Sequence, residues 1–260
     1  NRIVILGAGT GGTIMANRLR RLYDEREARI TVVDRDDRHV YQPGLLFVPF
    51  GLTHPEDLVR PRGRQLHRGI DYCRSEVDRV EVETDTVHLS DGSTLDYDGA
   101  AALEAALARF DGGRLVVNIV DLPIKCPVAP LEFAFLADWY FHQRGIRDRV
   151  DLTYVTPLDA AFTKPVAAKT LGGLLAEKGI ELVTEFNTGE VDGEGGRLVS
   201  YDEREVPFDL AVVVPLHGGA PYVGRSPGLG DELDFVPTDD RTLQSKVKPN
   251  IFALGDAAGV

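Results

Sequence analysis

Six residues near the start of the chain, Gly7-Ala8-Gly9-Thr10-Gly11-Gly12, restrict what it can fold into more than any other feature. They fit G-x-G-x-x-G, and their surroundings matter as much as the pattern. Before them runs the short apolar stretch Arg2-Ile3-Val4-Ile5-Leu6, which reads as a buried strand. After them, from Gly12 to Tyr23, Ile14, Met15, Leu19 and Leu22 recur at helical spacing while Arg18, Arg20 and Arg21 fall elsewhere. A second strand pattern, Arg29-Ile30-Thr31-Val32-Val33-Asp34, ends in an acid 22 residues past Gly12. Strand, glycine turn, helix, strand and acid in that order predict a βαβ unit that binds a dinucleotide. In such a unit Gly7 permits the tight turn, Gly9 lets backbone approach a pyrophosphate, and Gly12 lets helix and strand pack closely. Gly11 completes the set at the helix N-terminus, where N–H groups and partial positive charge receive phosphate. Asp34 can accept hydrogen bonds from a ribose diol, and its carboxylate would repel a 2′-phosphate, so the ligand is NAD-like or FAD-like. The plainer alternative, a glycine turn that binds nothing, leaves the joint register of strand, helix and acid unexplained.

Composition removes several function classes. A chain of 260 residues is long enough for one large domain or two of nucleotide-binding size. Its 29 basic and 41 acidic residues give a net charge of −12, with no basic footprint for nucleic acid. Two cysteines, Cys73 and Cys126, are too few for a secreted disulfide framework and favour a reducing compartment. No apolar run approaches the roughly 20 residues of a membrane span and no signal-peptide pattern opens the chain, although a peripheral membrane contact stays open. The histidines at 39, 54, 67, 88, 142 and 217 never pair at i, i+4 and there is no C-x-x-C, so no metal site is expected.

Beyond the first unit, Asp71 to Tyr97 reads as short alternating strands, with an Asp91-Gly92 turn between Val87-His88-Leu89 and Ser93-Thr94-Leu95. This predicts an antiparallel meander. A second α/β pattern begins near Gly113: strand Leu115–Ile119, helix Leu131–Gln143, strand Leu152–Val155, helix Ala168–Lys178 ended by Gly179, strand Glu181–Val183 and strand Leu210–Val214. A Gly/Pro-rich stretch follows from Pro215 to Gly230, and Asn250 to Asp256 reads as a buried strand ending in an exposed acid. The expected fold class is α/β, with two Rossmann-like, three-layer domains of dinucleotide-binding type and a meander. Residues 1–98 would begin the first domain, 99–230 form the second, and 231–260 return to the first.

The turn after the first strand of the second domain is unlike the first turn. Val120-Asp121-Leu122-Pro123-Ile124-Lys125-Cys126-Pro127 holds no glycine, and prolines at 123, 127 and 130 remove N–H donors that a pyrophosphate needs. Nicotinamide dinucleotide binding is disfavoured there. Cys126 instead stands beside Lys125 at the entrance to a helix, the setting of a nucleophilic cysteine. By composition alone a free cysteine is more often a buried packing residue, which is how Cys73 reads. Nothing in the sequence supports a disulfide between the two. Gly224-Arg225-Ser226-Pro227-Gly228 matches G-x-S-x-G but lies in a Gly/Pro loop, away from any strand-to-helix elbow, and reads as chance.

Three segments carry a family resemblance. Ile251-Phe252-Ala253-Leu254-Gly255-Asp256-Ala257 resembles the C-terminal flavin motif of flavoproteins with two dinucleotide-binding domains. Arg38-His39-Val40-Tyr41-Gln42-Pro43-Gly44 and Pro123-Ile124-Lys125-Cys126-Pro127-Val128-Ala129-Pro130 resemble the sulfide:quinone oxidoreductase family, within the FAD-dependent pyridine nucleotide-disulfide oxidoreductases. The likeness runs from Arg2 to Asp256. It implies FAD as cofactor, its ADP half on Gly7, Gly9, Gly11, Gly12 and Asp34, and its ribityl end on Gly255 and Asp256. It implies Tyr41, Gln42 and Pro43 beside the isoalloxazine edge, Val77 beside the adenine, and Cys126 as the catalytic cysteine. It further implies a small sulfur compound as substrate, a quinone as acceptor, and a cytoplasmic protein, peripheral on the inner membrane in one version, with a homodimer left open.

The sequence departs from that family in three places. Relatives carry a strand ending in Ala-Thr-Gly after the meander, whereas here Asp96-Tyr97-Asp98 runs straight into Gly99-Ala100-Ala101, so a segment is expected to be missing between Asp98 and Gly99. The chain closes at Val260, and the C-terminal cover domain is expected to be absent. Ala257 stands where mitochondrial-type members place a second redox cysteine. Two other readings remain at this point: a type II NADH:quinone dehydrogenase-like flavoprotein, and a non-catalytic binding module that keeps the fold.

Overall fold

A computed structural model describes residues 1–90 and 98–259, with the backbone alone at 98–101. The chain divides into two compact units, one of Asn1–Pro43, Pro55–Tyr97 and Gly218–Val260, the other of Gly44–His54 and Asp98–His217. Return to the first unit thus begins at Gly218, ahead of the expected residue 231.

The first unit opens as β1 (Arg2–Leu6), α1 (Thr10–Leu22) and β2 (Arg29–Asp34), followed by β3 (Arg38–Val40), β4 (Val59–Pro61), β5 (Ile70–Arg74), β6 (Glu76–Glu81) and β7 (Thr86–Ser90). Strands β1, β2 and β5 form a parallel sheet in that order, with Leu6 opposite Val33 and Asp34 opposite Arg74. The central strand buries Ile30, Val32 and Val33, as a strand covered on both faces must. Small residues let α1 lie close: Ala8, Ala16 and Val32 form one buried cluster against which Ile70 and Tyr72 pack. That packing corrects the expectation for Asp71 onward, because β5 is the third parallel strand and not the first strand of a meander. The antiparallel part is the β6–β7 hairpin, with Val77 opposite Leu89. The expected Asp91-Gly92 turn and Ser93–Leu95 strand lie outside the described residues, as do the side chains at the Asp98-Gly99 join.

The second unit contains α2 (Asp98–Arg109), β8 (Gly113–Ile119), α3 (Ala129–Gln143), β9 (Val150–Val155), α4 (Pro165–Glu177), β10 (Ile180–Val183), β11 (Thr188–Asp192), β12 (Arg197–Ser200), β13 (Glu205–Pro207) and β14 (Leu210–Val214). Its parallel sheet has the order β10-β9-β8-β14. Leu115, Val117 and Ile119 of β8 meet Leu131, Ala134, Ala137 and Phe141 of α3 in its core. Phe50, from a 3-10 helix at Gln42–Phe50, packs its ring tilted against Phe133 and edge-on against Tyr140 of α3. Strands β11, β12 and β13 make a separate antiparallel sheet that the sequence reading did not anticipate. The turn between β11 and β12 is closed by the Gly195 N–H, which donates to Asp192 Oδ1 (2.7 Å), with Gly196 at φ +64°.

On its return to the first unit the chain forms α5 (Pro221–Gly224), β15 (Val236–Pro237) and β16 (Ala258–Gly259), the last two paired in parallel. Val33, Val77, Val80, Val223, Leu229, Val236 and Ala253 share one core cluster. Ser226 is buried there; its Oγ accepts from the Val80 N–H (2.6 Å) and donates to the Tyr222 carbonyl (2.6 Å), a structural role. The strand expected over Asn250–Asp256 is not regular. Phe252 makes only an isolated bridge with Gln244 and is exposed, while Ala253 is buried. Among the described residues no helix is long and apolar enough to cross a membrane.

Candidate functional site

The glycine turn lies at the C-terminal end of β1, where the Gly7 N–H donates to the Val33 carbonyl (2.8 Å) and hands the chain to α1. Gly7 has φ +94°, in the region that favours glycine. A methyl group on Gly12 would stand 1.9 Å from the Gly7 carbonyl oxygen, so helix and turn approach as only glycine allows. Methyl groups on Gly7 or Gly9 would meet nothing within 4 Å, which leaves open space over the turn. The first turn of α1 has neither an acidic residue nor a side-chain cap, and its N–H groups remain available to an anion. Asp34, at the end of β2, accepts from the Ala8 N–H through Oδ2 (2.6 Å), and Oδ1 carries no protein hydrogen bond among the described residues. A turn that admits no side chain at its close contact, open space above it and a carboxylate oxygen beside it fit the ADP half of a dinucleotide.

The C-terminal segment reaches the same helix end. A methyl group on Gly11 would touch Leu254 Cβ at 4.0 Å, so residues preceding Gly255 lie against the first turn of α1. Gly255 has φ +64° and open space around it, and Asp256 is exposed in the 3-10 turn Gly255–Ala257. The structure therefore brings Gly7, Gly9, Gly11, Gly12, Asp34, Gly255 and Asp256 to one end of the first unit. Gln42 and Pro43 are exposed, two and three residues beyond the β3 strand whose His39 Nδ1 lies 3.3 Å from the Ala8 carbonyl oxygen. Val77 is different: its side chain is buried in the core cluster with Val33 and Val223, so any ligand contact there falls to its backbone.

Cys126 belongs to the second unit. In its sheet β8 has β9 on one side and β14 on the other, so the chain leaves β8 at a topological switch point, where open α/β sheets place their ligands. Residues 120–128 and 215–217 emerge there together. Cys126 is an exposed free thiol with φ +55°, and its carbonyl accepts from the Ala129 N–H (3.0 Å) at the start of α3. His217 fixes the turn from β14: its Nδ1 accepts from the Lys125 N–H (2.7 Å) and its N–H donates to the Pro123 carbonyl (3.2 Å). Several donors near this strand end are spent on the protein, since the Leu122 N–H also goes to Asp121 Oδ1 (2.7 Å) and the Val120 N–H to the Val214 carbonyl (3.0 Å). Cys73 is likewise free and half-buried on β5, packed against the first-unit core. The sequence reading missed His217 and Arg62, the latter touching both Ala8 and Asp34. Each meets its partners across tens of residues, and neither lies in a motif.

No family model matches the chain. Among curated proteins it is 23% identical over 298 residues to the mitochondrial sulfide:quinone oxidoreductase of Mus musculus, covering 99% of this chain. The corresponding protein of Dictyostelium discoideum is 25% identical over 297 residues, covering all of it. These curated relatives are sulfide:quinone oxidoreductases. The chain spans 66% of the length of each. Among solved structures, the sulfide:quinone oxidoreductase of Aquifex aeolicus matches with a TM-score of 0.85 at 18% identity, over 100% of this chain and 69% of that one. NDH2 of Plasmodium falciparum, solved in complex with NADH, matches at a TM-score of 0.68 and 13% identity, over 99% of this chain and 64% of that one. The fold is thus that of the sulfide:quinone oxidoreductases and of related reductases.

Proposed function

We propose that this chain is the two-nucleotide-domain part of an FAD-dependent oxidoreductase that oxidises sulfide or a related sulfur compound and passes the electrons to a quinone. The observation that carries the reading is the meeting of the glycine turn with Leu254-Gly255-Asp256 at the N-terminus of α1. Gly7, Gly9, Gly11 and Gly12 hold the pyrophosphate, Asp34 the ribose diol, and Asp256 with Gly255 the ribityl end. FAD bound there would supply the two-electron redox chemistry. Cys126 would join sulfide through an S–S bond, an oxidation whose two electrons pass to the bound flavin and whose two protons pass to solvent; its turn is held by the Ala129 N–H on one side and His217 on the other. Gln42 and Pro43 contribute near the isoalloxazine, and the backbone of Val77 near the adenine. A quinone acceptor would place the working protein at a membrane surface.

The NADH-using alternative is the weaker reading, because the turn after β8 has no glycine and its Leu122 and Lys125 N–H groups are already engaged. The test is anaerobic sulfide titration of the FAD-reconstituted chain against its Cys126→Ser variant. The variant should keep its flavin and bleach at least about a hundredfold more slowly with sulfide. Equal bleaching rates would remove Cys126 from the reaction.

A further inference from the structure

Arg62 is separated from the glycine motif by about fifty residues of sequence, yet its guanidinium sits inside the nucleotide end of the first unit, with 11% of its side chain exposed. One of its nitrogens, Nη1, donates to the Ala8 carbonyl (2.6 Å) and stands 3.3 Å from Asp34 Oδ2. Its Nε lies 3.5 Å from Asp36 Oδ1 and is buried without a hydrogen-bond partner among the described residues. The Ala8 peptide is therefore held at both ends, by Asp34 at its N–H (2.6 Å) and by Arg62 at its carbonyl. Thr13 Oγ1 also donates to that carbonyl (3.0 Å). Asp36 is buried as well; its Oδ1 accepts from the Arg38 N–H (2.7 Å), its Oδ2 lies 3.8 Å from Arg35, and its carbonyl accepts from the Tyr72 hydroxyl. Burial and then the nearby Asp34 charge push the Tyr72 hydroxyl up to about 12, so it stays a neutral donor in this cluster.

We infer that Arg62 is a positioning residue for dinucleotide binding, locking the glycine turn and the Asp34 carboxylate into their receiving geometry before any ligand arrives. The inference rests on the FAD reading. Physically it is a preorganisation argument: a guanidinium that spans Ala8, Asp34 and Asp36 removes conformations the turn would otherwise have to give up on binding. It also offsets two carboxylates at a place where an anionic pyrophosphate must approach. With Oδ2 committed to the Ala8 N–H and Arg62, Oδ1 remains as the acceptor for a diol. A lysine does only part of this, because its one ammonium can stand for Nη1 between the Ala8 carbonyl and Asp34 but leaves no cation beside Asp36, where Nε lies.

The test uses the full chain with FAD and, separately, ADP as probes, measuring dissociation constants and the melting temperature of the ligand-free protein for wild type, Arg62→Lys, Arg62→Gln, Asp34→Asn and the Arg62→Gln/Asp34→Asn double variant. Arg62→Gln should weaken FAD and ADP by the same factor, about tenfold or more, since ADP carries both the ribose and the pyrophosphate that the turn receives. Arg62→Lys should weaken both about threefold while melting with the wild type, which separates positioning from loss of fold. In the Asp34→Asn background, removing Arg62 should cost less than about twofold, because the two act through one another. Wild-type affinity in Arg62→Lys and Arg62→Gln, a loss confined to FAD with ADP unchanged, or fully additive effects would each overturn the assignment. If wild type binds neither probe, the cofactor reading fails and this inference fails with it; if wild type binds and the variants match it, only the Arg62 role is lost.

Discussion

At Gly12 a single methyl group has nowhere to go: it would stand 1.9 Å from a backbone oxygen that cannot rotate away. Gly12→Ala should therefore destabilise the chain by about 1–3 kcal/mol in urea unfolding and reduce FAD retention with it. Gly9→Ala, with open space at that position, should cost stability far less and binding more. Asp34→Ala should weaken FAD by about ten- to a hundredfold, the worth of a hydrogen bond to a charged group, read by flavin fluorescence quenching. At the other unit, His217→Ala should free the Lys125 amide, whose hydrogen exchange should quicken about fivefold, while His217→Asn, which can present an oxygen near the Nδ1 position, should restore protection. Unchanged exchange in His217→Ala would mean that another group holds the turn. The glycines and Asp34 were legible in the sequence because their roles depend on spacing within one βαβ unit. Arg62 and His217 were not, because a contact across 54 or 92 positions leaves no local pattern.

Elements are tied together by a buried acid that plays no part in the proposed chemistry. Asp138 on α3 is 1% exposed and takes Arg147 Nε (2.7 Å) and Lys178 Nζ (2.9 Å), while Arg147 also donates to the Val150, Lys178 and Gly179 carbonyls. The ends of α3 and α4 are joined this way to the starts of β9 and β10. Burial by itself would raise the Asp138 carboxyl, but hydrogen bonds from Arg147 and Lys178 outweigh it and hold its pKa below the ordinary aspartate value. A depressed folded-state pKa means that the stabilisation is complete above the unfolded value of about 4 and is lost as pH falls through the folded one. Asp138→Ala should cost about 3–5 kcal/mol at neutral pH, and its deficit relative to wild type should shrink in urea melts carried below pH ~4. A deficit independent of pH would contradict the pairing. Most elements of both parallel sheets could be read from apolar runs such as Leu210–Val214. Ile70–Arg74 was misassigned because alternation alone does not say whether a strand's partner is parallel or antiparallel, and β11–β13 lacked the long apolar runs that mark a strand.

For the whole molecule, the fold class was readable because a glycine turn in register and a second α/β pattern leave few arrangements open. What periodicity did not reveal is that the second sheet carries its Cys126 turn and His217 at one switch point, since strand order arises from pairings among β8, β9 and β14. The proposed chemistry rests on a candidate nucleotide site in the first unit and on a turn in the second that displays a thiol where a nicotinamide-binding domain would present glycine. The most direct measurement is the visible spectrum of the chain reconstituted with FAD and freed of excess flavin, recorded anaerobically before and after sulfide in one cuvette and NADH in another. The account predicts a retained flavin spectrum that bleaches with sulfide and not with NADH. A retained flavin that bleaches with NADH alone would contradict it.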